Sequence, residues 1–270
     1  MGEKRGRLVE PRDLDLSASH PGTIPGREPE LKLSIPRIPV SEGAAGRIIP
    51  VCEPVVDGNE AAYVARAVSS GWISSAGKFI PEFEERFAVF CGTKHAVACT
   101  SGTTALHLAF ATLGIGPGDE VIVPTFTMIA TANAVRYAGG TPVFVDSEPE
   151  TGNIDPDGVD RAITPRTKAV VPVHYAGVAC EMDSIMGIAA AHHLAVVEDN
   201  SHGLFGKYQG KYLGTFGCLA AQSFHETKNF TCGEGGALLI STPSLVPRAE
   251  IIREKGTNRA QFWRGEVDKY

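Results

Sequence analysis

The sequence predicts an α/β protein whose core is a mostly parallel β-sheet with helices on both faces. Two observations lead to this prediction. From residue 49 onward, short apolar segments of strand length alternate with longer segments of helical periodicity. Turn residues, such as the GPGD of residues 116–119, separate these segments. Strands that alternate with helices pair in parallel, and the helices then cover both faces of the sheet.

Five apolar segments are predicted as strands because each is short and is bounded by turn or polar residues. They are residues 95–99 (HAVAC), 120–124 (EVIVP), 141–146 (TPVFVD), 168–174 (KAVVPVH) and 194–199 (LAVVED). The segments between and before them have helical spacing, as Phe79, Phe83 and Phe87 illustrate. The predicted helices cover residues 58–71, 79–92, 101–114, 125–139 and 181–193.

The composition excludes several classes of protein. The chain has 270 residues, a formal net charge of −6 and 43% hydrophobic residues, as expected for a globular protein with a sizeable core. It contains no basic block, so we expect no nucleic-acid partner. It has neither a bilayer-length apolar run nor a signal-peptide pattern, so we expect no membrane partner and a cytoplasmic location. The six cysteines form no CxxC pair, and no metal is expected.

Two regions of the chain differ in composition. Residues 1–48 are rich in proline, glycine, arginine and glutamate and show no sustained period. Such a segment buries too little apolar surface to order itself, so we predict a low-complexity, disordered N-terminal extension. Residues 49–270 carry the alternating pattern and are predicted to form one large domain.

Polar residues come soon after two of these predicted strands and after a further apolar segment, residues 218–224 (CLAAQSF). HAVAC leads into Ser101, Gly102 and Thr103, LAVVE into Asp199, and CLAAQSF into Lys228. In a parallel sheet the carboxyl ends of the strands meet at one edge, where ligands bind. A helix start with small residues suits a phosphate, a carboxylate can hold a protonated ring nitrogen, and a desolvated lysine is an amine nucleophile. A pyridoxal-phosphate enzyme needs these three groups together.

Each of these residues also has an ordinary structural explanation. A serine such as Ser101 is a common helix N-cap, and a carboxylate such as Asp199 is a common cap of a turn. A lone histidine such as His202 is more often structural than catalytic, and most lysines are solvated surface residues. The aromatic residues on both sides of Lys228 argue against a solvated position for it.

The motifs SFHETKNF, TSGTTAL, VVEDNSHG and GDEVIVPTFT resemble the DegT/DnrJ/EryC1/StrS family of sugar aminotransferases. The resemblance runs over residues 49–270 and implies an aspartate-aminotransferase-like fold (fold type I) with pyridoxal 5'-phosphate as cofactor. It implies that Lys228 is the catalytic residue, which forms the Schiff base and shuttles the proton. The cofactor-binding residues that it implies are Lys228, Asp199 for the ring nitrogen, His202 for the ring or its phenolic oxygen, and Ser101, Gly102, Thr103 and Ser223 for the phosphate.

One cofactor position departs from the family pattern. Relatives place an aromatic residue that stacks on the cofactor in their P-x-x-T-aromatic segment. This chain has Met128 there, with Phe126 nearby. A methionine can pack on a ring through its polarizable sulfur, so Met128 is also expected to contact the cofactor.

A narrower resemblance concerns substrates and assembly. The segments GNID, VPVHYAGVACEMD and RAEIIREKGTNRAQFWRGEVDKY are similar to the branch that aminates dTDP-4-keto-6-deoxy-D-glucose with L-glutamate, for surface polysaccharides such as enterobacterial common antigen. The alternatives are another keto sugar of the same family, including an antibiotic sugar, and a non-catalytic protein that keeps the fold. Family members continue beyond the end of this chain, so a C-terminal small domain is expected to be missing. The full-length protein is expected to be a homodimer.

Overall fold

The computed structural model describes residues 52–270. The predicted N-terminal extension and its boundary at residue 48 lie outside the described residues and stay predictions. The helices are α1 (Glu60–Ser69), α2 (Phe79–Cys91), α3 (Gly102–Leu113), α4 (Ile129–Tyr137), α5 (Pro156–Ala162), α6 (Met182–Ala191), α7 (Val246–Arg253) and α8 (Arg259–Trp263). The strands are β1 (His95–Cys99), β2 (Glu120–Pro124), β3 (Thr141–Val145), β4 (Thr167–Val170), β5 (Ala195–Asp199), β6 (Lys207–Tyr208), β7 (Lys211–Tyr212), β8 (Leu219–Ser223) and β9 (Gly236–Ile240).

Seven of these strands form one sheet in the order β1-β9-β8-β5-β4-β2-β3. Strands β3, β2, β4, β5 and β8 pair in parallel, whereas β9 runs antiparallel to both of its neighbours, β8 and β1. Strand β1 therefore points in the same direction as β5 and β8. The predicted mostly parallel sheet is confirmed.

Successive strand residues face opposite sides of the sheet, and this alternation builds a core on each face. In β2, Val121 and Val123 belong to the core cluster packed against α3 and α4, whereas Ile122 belongs to the cluster packed against α5 and α6. All three side chains are 0% exposed. Strands buried on both faces have the near-continuous apolar sequences from which they were predicted.

Two predicted elements are shorter than their sequence segments. The 168–174 strand ends at Val170, because Pro172 has no N–H to continue the ladder; only an isolated bridge between Val173 and Asp199 follows. Helix α4 begins at Ile129 rather than at residue 125. Residues 125–127 form bends between β2 and α4, and the side chains of Thr127 and Met128 line a cavity at the carboxyl edge of the sheet.

Residues 52–270 contain neither a membrane-spanning helix nor a metal-binding cluster. No helix there has both the length and the apolar character needed to cross a bilayer. That part of the chain also holds no group of three or more histidine, cysteine or acidic side chains that could bind a metal ion. All six cysteines are free thiols.

Candidate active site

The carboxyl ends of β1, β5 and β8 meet at one edge of the sheet because the three strands point the same way. A cavity of about 420 Å³ lies at this edge. The structure brings every predicted site residue to its walls: Ser101, Gly102, Thr103, Met128, Asp199, His202, Ser223 and Lys228. Their individual roles in binding and catalysis stay predictions.

The start of α3 lies directly against the end of β8. A Cβ atom on Gly102 would come within 2.8 Å of the Ser223 Cβ, so only glycine allows this approach. Ser101 is a true N-cap, since its Oγ accepts the Thr104 N–H at 3.1 Å in a capping box. The first N–H groups of a helix have no partner within it, so the backbone of α3 can still bind an anion here.

Asp199 ends β5 and is 4% exposed. Its Oδ2 accepts a hydrogen bond of 2.7 Å from the hydroxyl of Thr131, and its Oδ1 accepts the backbone N–H of Ser201 at 3.2 Å. The Thr131 oxygen lies 2.8 Å from the hydroxyl of Thr127. A nearly buried carboxylate with a donor on each oxygen has a fixed orientation and can accept a further proton donor from the cavity.

Lys228 lies in the segment after β8 and is half-buried. Its backbone N–H donates to the carbonyl of His225 at 2.9 Å, and the neighbouring Asn229 side chain donates to the carbonyl of Leu204 at 2.9 Å. Burial lowers the pKa of the Lys228 ammonium, whereas the negative charge of Asp199 raises it; the net direction is downward. A lysine of lowered pKa has more free amine at neutral pH, as a nucleophile or proton carrier requires.

His202 borders the same cavity from the segment after β5. Its Nδ1 accepts the backbone N–H of Ala176 at 3.2 Å, and its ring packs edge-on against Tyr175 with centroids 5.5 Å apart. Burial lowers the pKa of His202, the positive charge of Lys228 lowers it further, and Asp199 opposes both. The ring is therefore neutral at neutral pH.

Met128 lies at the mouth of the cavity, at the N-cap of α4, and is 70% exposed. The nearby Phe126 packs on Tyr175, with ring centroids 4.3 Å apart. Met128, which the sequence predicts in place of the stacking aromatic residue, lines the cavity. Phe126 instead supports Tyr175, which also lines the cavity.

Several residues around the cavity were not predicted from the sequence. The most important is Thr131, which is 0% exposed and holds Asp199. The polar residues that line the cavity without having been predicted are Thr127, Tyr175, Ser201, His225, Thr227 and Glu234. Neighbouring polar residues within TFTMIATA and SFHETKNF were the available signal, but neither motif indicates which side chains face inward.

A larger cavity of about 640 Å³ lies on the other side of the start of α3. Its walls are mainly apolar and include none of the predicted site residues. The smaller cavity holds the amine, the buried carboxylate and the anion-binding helix start, and it is therefore the candidate active site.

Known proteins are similar to this chain over about three quarters of its length or more. GDP-perosamine synthase of Caulobacter vibrioides is 48% identical over 216 residues, which cover 80% of this chain and 58% of that protein. The S. venezuelae protein DesV, solved in complex with a ketimine intermediate, has 42% identity and a TM-score of 0.71 over 74% of this chain and 54% of that one. DesI, solved in the presence of its TDP-sugar product, has 38% identity and a TM-score of 0.71 over 76% of this chain and 52% of that one.

The chain thus spans a little over half the length of these relatives. The likeness to such structures confirms the predicted fold type I, and pyridoxal phosphate is the cofactor of these enzymes. The sequence profile described as the DegT/DnrJ/EryC1/StrS aminotransferase family matches residues 54–268. The chain belongs to the DegT/DnrJ/EryC1/StrS aminotransferase family.

Proposed function

We propose that the whole protein transfers an amino group from L-glutamate to a nucleotide-linked keto sugar, with pyridoxal phosphate as cofactor. The observation that supports this most directly is one cavity lined by Lys228, Asp199 and the Gly102–Ser223 contact. The family membership supports the same class of reaction. Residues 49–270 are proposed to be the large, cofactor-binding domain of that protein.

The cavity residues match the chemical groups of the cofactor. The close approach of Gly102 to Ser223 brings the start of α3 and the Ser223 hydroxyl to one wall of the cavity, where both could donate hydrogen bonds to a phosphate. The buried carboxylate of Asp199 suits a protonated ring nitrogen. An unpaired buried negative charge is costly, and Asp199 faces a cavity in which a cationic group could pair with it. The half-buried amine of Lys228 suits the aldehyde group of the cofactor, because a lysine of lowered pKa is a better amine nucleophile at neutral pH.

The bound cofactor supplies an electron sink for the electron pair left when a proton leaves the carbon beside an amino group. Lys228 Nζ would take that proton from the substrate carbon and return it to the cofactor carbon that keeps the amino nitrogen, a transfer for which a lysine of lowered pKa is suited. Asp199 would accept the N–H of the cofactor ring and keep positive charge at that nitrogen while negative charge develops on the substrate. Ser101, Thr103 and Ser223 orient the phosphate.

The identity of the sugar carrier is a finer proposal. The sequence motifs favour dTDP-4-keto-6-deoxy-D-glucose, whereas the 48%-identical relative bears the name GDP-perosamine synthase and favours a GDP-linked acceptor. DesI, with its TDP-sugar product, shows that a similar protein handles a TDP sugar. We therefore propose a 4-keto-6-deoxy sugar on a nucleoside diphosphate, with dTDP and GDP as the two carriers to be compared.

We also propose that the whole protein acts as a cytoplasmic homodimer. Exposed apolar side chains on α1 and at the start of α4 support this, because isolated soluble subunits rarely leave many such residues uncovered. Val64, Val68 and Ile129 are 63–65% exposed. Sedimentation of the whole protein at several concentrations measures its mass directly, and a monomer throughout would overturn the proposal.

The activity is tested with the purified whole protein, pyridoxal phosphate and L-glutamate. We expect 2-oxoglutarate in an amount stoichiometric with enzyme, and continued turnover when the correct keto sugar nucleotide is added. The dTDP-linked and GDP-linked 4-keto-6-deoxy sugars are compared at equal concentration, with Lys228→Ala as the inactive control. Aminated product from neither, together with no 2-oxoglutarate, would refute the proposed reaction.

A further inference from the structure

The GNID segment contributes a buried asparagine that the proposed function leaves unused. Asn153 is 2% exposed, and its side-chain amide is fully hydrogen-bonded. Its Oδ1 accepts the backbone N–H of Tyr175 at 3.2 Å, and its Nδ2 donates to the carbonyls of Val178 at 3.2 Å and Ala179 at 2.9 Å. One side chain thus fixes both ends of residues 175–179, called here the 175–179 turn.

The middle of the 175–179 turn has an uncommon backbone conformation. Ala176 has φ 50° and ψ 20°, in the left-handed region that disfavours any residue with a Cβ atom. Gly177 follows with φ 83°, and a Cβ there would lie 3.2 Å from the carbonyl oxygen of His202. Such conformations persist only where the surroundings enforce them, and the three hydrogen bonds of Asn153 do so here.

A second buried contact anchors the residue just before the turn. The Nδ1 of His174 accepts the backbone N–H of Cys180 at 3.2 Å, and its Nε2 lies 3.0 Å from Glu198 Oε2. His174 and Glu198 are both 0% exposed. The 175–179 turn is therefore held from two sides by side chains that are themselves immobilised.

This arrangement determines which ring nitrogen of His202 carries the proton. The left-handed conformation at Ala176 directs its N–H at His202 Nδ1, at 3.2 Å. A ring nitrogen that accepts an N–H carries no proton, so the proton of a neutral ring is on Nε2. The charged groups that face this ring are Lys228 and Asp199, and burial together with Lys228 keeps its pKa below the usual value.

We propose that Asn153 is a positioning residue: it holds the 175–179 turn so that His202 stays in the Nε2–H form, ready to donate a hydrogen bond to an anionic oxygen in the cavity. The fixed tautomer follows from the contacts of this chain alone. The identity of the acceptor as an oxygen of the bound cofactor rests on the proposed function.

The tautomer is measured by long-range ¹H–¹⁵N NMR on the whole protein, uniformly labelled with ¹⁵N and free of cofactor. The chain has eight histidines, and the spectrum of His202→Gln identifies the His202 signals by their loss. We expect a neutral ring protonated on Nε2 at pH 7.5, with a titration midpoint below 6.5. A ring protonated on Nδ1, or an imidazolium at that pH, would overturn the inference.

The role of Asn153 is tested by two substitutions with a control. Asn153→Ala removes all three hydrogen bonds, whereas Asn153→Asp keeps an acceptor for the Tyr175 N–H and loses both donors. We expect either variant to give mixed His202 tautomers and a higher His202 midpoint, whereas Asn258→Ala, at the N-cap of α8, changes neither. If Asn153→Ala does not fold, the His202 spectrum of Asn153→Asp alone tests the role of Asn153. An unchanged His202 spectrum in a folded variant rejects the positioning role.

Addition of pyridoxal phosphate separates this inference from the proposed function. We expect the His202 Nε2 resonance to shift on binding in the wild-type protein, and the cofactor to bind several-fold more weakly to Asn153→Asp. An Nε2-protonated ring with no response to the cofactor would count against the proposed cofactor contact, while the tautomer assignment would stand.

Discussion

The hydroxyl of Thr131 donates a 2.7 Å hydrogen bond to Oδ2 of Asp199, and it is the contact that orients the candidate ring-nitrogen carboxylate. Thr131→Val keeps the shape of the side chain and removes the donor. Hydrogen bonds to charged groups contribute about 1.5–3 kcal/mol, so pyridoxal phosphate should bind roughly 10- to 100-fold more weakly to this variant. Thr131→Ser keeps the hydroxyl and should bind nearly normally. Equal affinity of Thr131→Val and wild type in a fluorescence titration would contradict this role.

Asp199→Asn tests the carboxylate itself. The amide keeps the size of the side chain. Its oxygen can accept the Ser201 N–H at the Oδ1 position, while its NH2 group can donate to the Thr131 hydroxyl at the Oδ2 position, so the fold should survive. It lacks the negative charge that keeps a ring nitrogen protonated. Loss of one such electrostatic contact commonly slows a reaction about 100-fold or more. Circular dichroism checks the fold and the glutamate half-reaction checks the rate; near-normal turnover refutes the role.

Sequence patterns were sufficient to bring Asp199 and Lys228 to one edge of the sheet, because Asp199 ends an apolar strand, Lys228 lies shortly after the end of another, and the carboxyl ends of like-directed strands meet. They were insufficient for Thr131, which lies in the first turn of α4 and is 68 residues from Asp199 in the sequence. Local periodicity gives the inward face of α4 but not the partner that this face meets. Strand β9 (GALLI) was not predicted, and its apolar pattern does not give its antiparallel direction, because that pattern is the same in either direction.

The lowered pKa of Lys228 gives a prediction for the pH dependence of its reactivity. Below its pKa the group is an ammonium without a lone pair, and above its pKa it is a free amine. Because burial lowers this pKa, covalent capture of pyridoxal phosphate should reach half of its maximum below pH 10.5. Borohydride reduction at a series of pH values, followed by peptide mapping, measures this. Lys228→Ala should remain unlabelled, and a label on Lys207 or Lys211 instead would sink the assignment.

Gly102 is predicted to be indispensable because it allows α3 to approach β8. In Gly102→Ala the new Cβ would lie 2.8 Å from the Ser223 Cβ, so one of the two elements must move. Overpacking of this kind costs about 1–3 kcal/mol of the free energy of unfolding, which urea denaturation measures without cofactor. The displaced helix start should also bind pyridoxal phosphate less tightly.

Gly187→Ala is the matched control for Gly102→Ala. Gly187 lies in α6 with nothing within 4 Å of its added Cβ, and alanine there should stabilise the helix by up to about 1 kcal/mol. If Gly102→Ala unfolds at the wild-type midpoint and binds the cofactor as tightly as the wild type, the close approach at Gly102 has no part in the site.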